Sequence, residues 1–232
     1  MSTRLISYTM PSEELLDECE GLNDLQELIA YCARVSNPTN QHNTETSEKL
    51  IGYLIRHKHW SPLEMADATI EIETTRDISH QMVRHASFRF QEFSQRYSDP
   101  TDEASALGFV FREARLQDRK NRQNSIDINL SDEYYGNLQV EWERRQQAVI
   151  NQSLDAYKWA INNGLAKEQA RAVLPEGLTK TKLYAKASIR SWIHYIEIRA
   201  AKETQKEHRY IALGCAEEIA KIFPMINSFI KE

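Results

Sequence analysis

The chain has 232 residues, a hydrophobic fraction of 41% and a formal net charge of −5, which predict one globular domain over residues 1–232 and exclude a disordered chain. No run approaches the roughly 18 apolar residues of a membrane span, and the first residues lack the pattern of a secretory signal. The three cysteines form no CxxC pair. We therefore expect a reduced, cytoplasmic protein with no metal site and with neither membrane nor nucleic acid as a partner.

Hydrophobic periodicity over the first part of the chain predicts mostly helices. A weak alternation near the start predicts a strand, and three short amphipathic helices follow it. The clearest strand is ATIEIETT, residues 68–75, because β-branched residues alternate there with polar ones. We place Asp77 as the N-cap of a short helix that runs on through Gln81 and Arg84.

The second part of the chain contains the longest predicted element. Residues 98–131 are polar, and we expect a loop with a basic helical stretch from Arg112 to Arg122. One long helix is predicted over residues 131–163, with Gly164 as its left-handed stop. A short helix through Arg171, a strand at residues 180–187 and helices at 188–201 and 205–223 follow. The fold class is α+β, a helix-rich single domain with a small mixed or antiparallel sheet and a long central helix.

The sequence lacks several familiar motifs for phosphate binding and for metal binding. The chain has only seven glycines, and none forms a GxGxxG or Walker A loop, so side chains must hold any bound phosphate. Arginine suits that task because its planar fork makes two parallel hydrogen bonds and stays charged. His57 and His59 have a spacing found in metal sites, but no HExxH motif or carboxylate cluster accompanies them. We favour loop or capping histidines over ligands.

The segment QMVRHASFRFQEFSQRY, Gln81–Tyr97, mixes three arginines and one histidine with four aromatic residues and only one glutamate. Full exposure would create a costly apolar patch, and full burial would leave arginines without counter-charges. A partly buried pocket that an anionic, aromatic ligand completes satisfies both limits. In that hypothesis phosphate meets the arginines and flat rings meet the aromatic side chains.

Motifs in this segment and elsewhere resemble those of flavin-dependent thymidylate synthases. Arg84-His85-Ala86, seven residues and Ser94 are similar to the signature RHR-x₇-S. Four further stretches match in the family's order, namely CARVSNP at 32–38, HWSPLEM at 59–65, ARAVLP at 170–175 and SIRSWIHYIEIRA at 188–200. The resemblance covers most of the chain. It implies the reductive methylation of dUMP to dTMP with 5,10-methylenetetrahydrofolate as carbon donor, FAD as hydride carrier and NADPH as reductant.

The resemblance also implies which residues bind the ligands. The residues matched to dUMP binding are Gln81, Arg84, Glu92, Phe93, Ser94, Gln95, Arg96, Arg171 and Arg199. The residues matched to FAD binding are Ser61, Arg84, His85, Ala86, Glu92, Ser188, Arg190 and His194. His59 and Glu64 are nearby flavin candidates, and Ser36 of the ARVS turn is a weaker one.

Arg199 matches the catalytic arginine that the family is thought to use to activate the pyrimidine. C5 of uracil is a poor nucleophile, and no cysteine here stands in a context suited to attack at C6. A guanidinium beside N3 and its carbonyl favours negative charge there and moves electron density to C5. Without the resemblance, a surface ion pair between Arg199 and Glu203 at i+4 is the simpler interpretation.

Arg190 and Arg199 are nine residues apart on one predicted helix, about 900° of rotation, so they project from opposite sides. Both can serve a flavin–nucleotide site if the helix lies between two sites or bends. This geometry agrees with the homotetramer of the family, in which several subunits build each active site.

Two departures from the family pattern have consequences. Ala86 replaces the third arginine of the signature and removes one donor from the flavin side, for which Arg89 could compensate. Ser188 and His194 stand where asparagines are frequent. The basic residues Arg112–Arg122 could meet a folate tail or an NADPH phosphate, and a solvated face is at least as consistent with them.

Three other hypotheses remain open at this point. The first is a catalytically weak nucleotide- and flavin-binding module. The second is a metal hydrolase that uses His57, His59 and either His80 or His85. The third is an interaction protein built on the long helix at 131–163, which lacks a sustained heptad pattern.

Overall fold

The computed structural model describes residues 1–19, 21–99, 101 and 107–230. These residues form six strands and eight α-helices, with 3₁₀ turns between several of them. The strands are β1 (Ser2–Tyr8), β2 (Asp67–Thr75), β3 (Arg89–Glu92), β4 (Arg115–Gln117), β5 (Ser125–Asp127) and β6 (Lys180–Ser188). The helices are α1 (Glu13–Glu18), α2 (Leu25–Ala33), α3 (Ser47–Arg56), α4 (Arg76–Met82), α5 (Glu133–Asn162), α6 (Lys167–Ala170), α7 (Ile189–Arg199) and α8 (Lys206–Ala220).

A four-stranded sheet in the order β1-β2-β6-β3 supports the domain. All its pairings are antiparallel, and in the β2–β6 register Ile70 lies opposite Ala185. Strands β4 and β5 form a separate antiparallel hairpin. The α+β class predicted from the sequence is confirmed, with both sheets antiparallel.

The main core lies between one face of the large sheet and helices α7 and α8. Leu183, Ala185 and Ala187 alternate inward along β6 and are buried, as the two-residue period of a strand requires. Trp192 of α7 is fully buried, and its indole N–H donates to the carbonyl oxygen of Ala68 at 3.1 Å. Helix α7 is therefore fixed against β2, and the residues before and after Trp192 are positioned with it.

The long helix is confirmed as α5, and it lies beside the main core. Asp132 caps its first turn, and Gly164 ends it with φ of 77°. Its buried residues include Tyr157 and Ala160, which form a separate cluster with Ala170 of α6. Most of its surface is exposed, and no helix in the described part of the chain is long and apolar enough to cross a membrane.

The predicted basic helix at Arg112–Arg122 is wrong, because β4 and the turn that leads to β5 occupy those residues. Asp118 is the physical reason: its Oδ1 accepts from the backbone N–H groups of Lys120 and Asn121 at 2.8 and 3.1 Å. An aspartate that binds the backbone two and three residues ahead stabilises a turn and competes with helix.

The prediction for Asp77 and the helix after it is also wrong in part. Thr75 is the N-cap of α4, Asp77 lies in its first turn, and the helix ends at Met82. Asp77 instead accepts a hydrogen bond from Arg112 at 2.7 Å. The chain then turns into β3, which pairs with the edge of β6. This strand brings Glu92 beside α4.

Candidate active site

Glu92 of β3 is held firmly by three donors. Its Oε1 accepts from Arg76 at 3.0 Å, from the Ser79 hydroxyl at 2.8 Å and from the Thr181 hydroxyl at 2.8 Å. Two of these residues lie on α4 and the third lies on β6. Strand β6 and helix α4 together therefore fix one carboxylate oxygen of Glu92. The motif match implies that this residue contacts both dUMP and FAD.

A small cavity of about 210 Å³ lies beside this carboxylate. Arg171, Gln95 and Arg76 contribute polar groups to its lining, together with His80 and Glu176. Gln95 is 6% exposed, so the loop after β3 is packed here. Arg171 and Gln95, which the sequence placed in one site, do lie together. Arg76 and His80 were missed, because in the sequence they look like ordinary surface residues of α4.

The other residues matched to dUMP are not among those that line this cavity. Ser94 accepts a weak bond from the backbone N–H of Arg96 at 3.4 Å, and the Arg96 guanidinium lies 3.5 Å from Glu168 of α6. Phe93 is half-buried, and Arg84 is exposed just beyond α4. The loop after β3 and the start of α6 are thus joined by an ion pair.

A second cavity, of about 300 Å³, lies between α7 and the 3₁₀ turn Ser61–Glu64. Trp60, Glu64, Arg190 and His194 line it, with Ser87, Ser191, Ile193 and Glu197. Arg190 donates to Glu64 at 2.7 Å. Although partial burial opposes ionisation, hydrogen bonds from Ser188 and Arg190 hold the pKa of Glu64 below its ordinary value.

Three of the flavin candidates, Glu64, Arg190 and His194, line this second cavity. Ser188 caps α7 beside it with a hydrogen bond from the Ser191 N–H. Ser61 and His59 are exposed, and neither is among the residues that line the cavity. Ser36 lies elsewhere, in a separate open groove that Arg34 also lines. Trp60 and Ser87 were missed, although Trp60 stands inside the HWSP motif.

The signature segment does not present all its aromatic residues to a ligand, contrary to the sequence-based hypothesis. Phe88 is 4% exposed and packs edge-to-face on Trp192 in the core, with ring centroids 4.7 Å apart. Phe90 stacks on Phe88. Burial of apolar surface is favourable, so these two rings pack into the core beneath β3. The charged residues of the segment stay outside the core.

Ala86 and Arg89 are close to each other. Nη1 of Arg89 donates to the carbonyl oxygen of Ala86 at 3.1 Å and to that of Phe88 at 2.9 Å. Both residues are exposed. The Arg89 guanidinium therefore lies next to the position from which the family's third arginine is missing.

Arg199, the last residue of α7, is hydrogen-bonded to His85. Among the bonds of the described residues, none joins Arg199 to Glu203. Its Nε donates to Nε2 of His85 at 3.1 Å. Burial lowers the pKa of His85 to about 4, and the charges of Arg199, His194 and Arg84 add to this effect. As predicted from the helical rotation, Arg190 and Arg199 lie in different surroundings.

No thiolate or metal is favoured at this site. Burial raises the pKa of the Cys215 thiol strongly and that of Cys32 to a lesser degree, and Cys19 is buried. Among the described residues, no group of three or more His, Cys, Asp or Glu could hold a metal ion. His57 stacks on Tyr53 with ring centroids 3.9 Å apart. The metal hydrolase hypothesis therefore finds no support in the described structure.

These observations define a class of protein: a single α+β domain in which arginine and histidine side chains, instead of a glycine loop, line two cavities suited to anionic ligands. Comparison with known proteins gives the family. The family model described as thymidylate synthase complementing protein matches residues 14–225. The chain belongs to this family.

Two curated relatives are similar over nearly their whole length. A probable flavin-dependent thymidylate synthase of Paramecium bursaria Chlorella virus 1 is 46% identical over 226 residues, 97% of each chain. The flavin-dependent thymidylate synthase of Synechocystis sp. strain PCC 6803 is 46% identical over 231 residues, 100% of each chain. The resemblance drawn from the motifs, and the methyltransferase class that it implied, are confirmed.

A solved structure shares the fold. The UMP/dUMP methylase PolB from Streptomyces cacaoi, bound with 5-Br dUMP, superposes with a TM-score of 0.76 at 21% sequence identity. The match covers 98% of this chain and 93% of that one. At this identity the comparison supports the architecture described above.

Proposed function

We propose that this protein converts dUMP to dTMP, with 5,10-methylenetetrahydrofolate as carbon donor, FAD as hydride carrier and NADPH as reductant. The observation that carries this proposal is the hydrogen bond that fixes the Arg199 guanidinium on His85, in a chain whose cysteines are buried or have a raised thiol pKa. Membership of a family with flavin-dependent relatives supports the flavin.

We assign the nucleotide to the cavity beside Glu92. Arg171 and Arg76 supply guanidinium groups for the phosphate, and Gln95 supplies an amide in the same lining. The other assigned contacts are those of Gln81, Arg84, Phe93, Ser94 and Arg96. Glu92 suits a hydrogen bond to a base or sugar, because only its Oε1 is engaged by Arg76, Ser79 and Thr181 in the bonds described above.

We assign part of the flavin to the cavity at α7. Trp60 offers a flat apolar face there, and the Arg190–Glu64 pair and His194 offer polar groups of both signs. These residues fit a cofactor that is both aromatic and anionic. The cavity of about 300 Å³ is too small for all of FAD, so further contacts must come from Ser61, Ser188, His85, Ala86 or another subunit. The flavin, when bound, supplies the hydride-transfer chemistry.

We assign the activation of the pyrimidine to Arg199. Its guanidinium stays charged and is oriented by the bond to His85. A fixed positive charge beside the N3–carbonyl edge favours negative charge there and so raises the nucleophilicity of C5. This role needs no covalent attachment of the enzyme to C6, which agrees with thiols that are buried or raised in pKa.

We further propose a cytoplasmic homotetramer with active sites shared between subunits. Three free cysteines agree with a reducing compartment. Exposed aromatic residues on α5, such as Tyr134 at 71% and Trp159 at 62%, agree with a surface that other copies cover.

The colour of the purified protein tests the flavin assignment. We expect a yellow preparation with flavin absorbance, or a colourless one that binds added FAD. A protein that stays colourless with excess FAD would contradict the flavin assignment. The alternative of a catalytically weak binding module predicts bound flavin and dUMP without dTMP formation, which a product assay distinguishes.

A further inference from the structure

A continuous hydrogen-bonded chain, of which the proposed function uses only Gln81, links five polar side chains, those of Glu207, Gln205, Gln81, His208 and Tyr195. It begins at Glu207, in the first turn of α8, which is 7% exposed. Arg115 of β4 donates to Glu207 Oε1, and Arg112 lies 3.6 Å from the same oxygen. Although burial opposes ionisation, these partners hold the pKa of Glu207 below its ordinary value. Glu207 is therefore a carboxylate, which can only accept.

The carboxylate fixes the direction of every bond that follows. Nε2 of Gln205 donates to Glu207 Oε2 at 3.0 Å, so the other end of that amide, Oε1, must act as an acceptor. It accepts from Nε2 of Gln81 at 2.8 Å. The orientation of the Gln81 amide is thus set from Glu207 through Gln205, because an amide has its donor and its acceptor on different atoms.

The same logic fixes the tautomer of His208. Oε1 of Gln81 lies 3.1 Å from Nδ1 of His208, and a carbonyl oxygen can only accept, so Nδ1 carries the proton. Nε2 of the neutral ring must then accept, and the Tyr195 hydroxyl lies 3.1 Å from it. His208 and Tyr195 are 0% and 1% exposed, so water does not compete for these groups.

We propose that Tyr195, His208, Gln205 and Glu207 are positioning residues that lock the Gln81 amide in one orientation, with one N–H of Gln81 left to donate to the pyrimidine nucleotide. This inference rests on the proposed function, since it takes Gln81 as a nucleotide contact. It also gives the basic segment after residue 111 a role, because Arg115 holds the carboxylate that sets the direction of the chain.

A pair of substitutions at His208 separates positioning from simple packing. In His208→Asn the amide nitrogen stands one bond from Cγ, as Nδ1 does, and can still donate to Gln81. His208→Leu has a similar volume and no donor. We expect His208→Leu to raise the KM for dUMP roughly tenfold, the usual effect of losing one buried hydrogen bond, with kcat and FAD affinity nearly unchanged. His208→Asn should stay within about threefold of the unmodified protein.

Two further variants complete the test. Gln205→Met breaks the link between Glu207 and Gln81 and should raise the KM for dUMP as His208→Leu does, which keeps the proposal testable if His208→Leu does not fold. Ile219→Val removes one buried methylene from the same helix and controls for destabilisation. It should leave the KM unchanged.

The results distinguish failure of the proposed function from failure of the positioning role. If the unmodified protein forms no dTMP, the proposed function fails. If it forms dTMP and both His208→Leu and Gln205→Met keep its KM, the positioning role is overturned. It is also overturned if His208→Asn is as impaired as His208→Leu, because a donor at that place would then make no difference.

Discussion

Nε of Arg199 donates to Nε2 of His85 at 3.1 Å and joins the end of α7 to the turn after α4. A ring nitrogen that accepts carries no proton, so His85 is neutral with its proton on Nδ1. The low pKa of His85, about 4, agrees with this state. The bond orients one edge of the guanidinium, which gives Arg199 the fixed geometry that electrostatic activation of a ring requires.

Replacement of Arg199 by alanine should stop methylation and leave flavin binding intact. We expect kcat to fall by about 10²–10³, as for loss of one preorganised charge or donor, with the flavin absorbance of the protein unchanged. Arg209→Ala is the matched control and should keep its turnover, because Arg209 lies on the neighbouring helix α8 and its Nη1 donates to the backbone carbonyl oxygen of Lys202 at 3.3 Å. Undiminished turnover by Arg199→Ala would contradict the activation role.

Replacement of Arg171 by alanine should weaken nucleotide binding more than chemistry. Loss of a charge-assisted bond to phosphate costs roughly 1.5–3 kcal/mol, so the KM for dUMP should rise about 10- to 100-fold with kcat nearly unchanged. Steady-state kinetics measure this. Arg145→Ala, an exposed arginine of α5 paired with Glu141, is the control. An unaltered KM in Arg171→Ala would place the phosphate elsewhere.

Arg89 should contribute to FAD affinity, because its guanidinium donates to the carbonyl oxygen of Ala86 at 3.1 Å and so lies beside the signature turn. We expect Arg89→Ala to weaken FAD binding several-fold and Ala86→Arg to strengthen it, since each changes the number of cations beside the signature turn. Titration of the apoprotein with FAD measures the Kd. If Arg89→Ala binds FAD as tightly as the unmodified protein, Arg89 does not compensate for the missing arginine.

Stability should fall as the pH is lowered from about 6.5 toward 4. Burial lowers the pKa of His85 to about 4 and that of His208 to about 3, from an ordinary value of 6.5. Across this range the unfolded chain binds more protons than the folded one, so the free energy of unfolding decreases as the pH falls and is greatest above 6.5. Thermal unfolding at several pH values measures this.

His208→Asn removes one of these titrating groups and keeps the donor to Gln81. Its Tm should therefore change less between pH 6.5 and 4 than that of the unmodified protein. Equal pH dependence in the two proteins would show that His208 does not contribute to acid destabilisation.

The sequence predicted the regular elements well where the local pattern and the core agree. Alternation in residues 68–75 gave β2, and Gly164 marked the end of α5, because a left-handed residue there needs glycine. The β4–β5 hairpin was missed since its strands have three residues each, too few for a period to appear. Its turn depends on Asp118, whose role emerges only from its bonds.

The candidate site was predicted from motifs more than from chemistry. Motif matching brought Arg190 and His194 to one cavity and Arg171 and Gln95 to another. It could not find Thr181, which holds Glu92 from 89 residues away in the chain, because such a contact depends on strand pairing. His208 was missed because its contacts with Gln81 and Tyr195 depend on how helices α4, α7 and α8 pack together.

Release of tritium from [5-³H]dUMP tests whether this protein methylates C5 of the pyrimidine with a flavin, because methylation at C5 must displace the hydrogen there. The assay is run with 5,10-methylenetetrahydrofolate and NADPH, with and without added FAD, on protein freed of flavin. We expect release of tritium and formation of dTMP only when FAD is present. Equal release without any flavin, or no release with every component present, would contradict it.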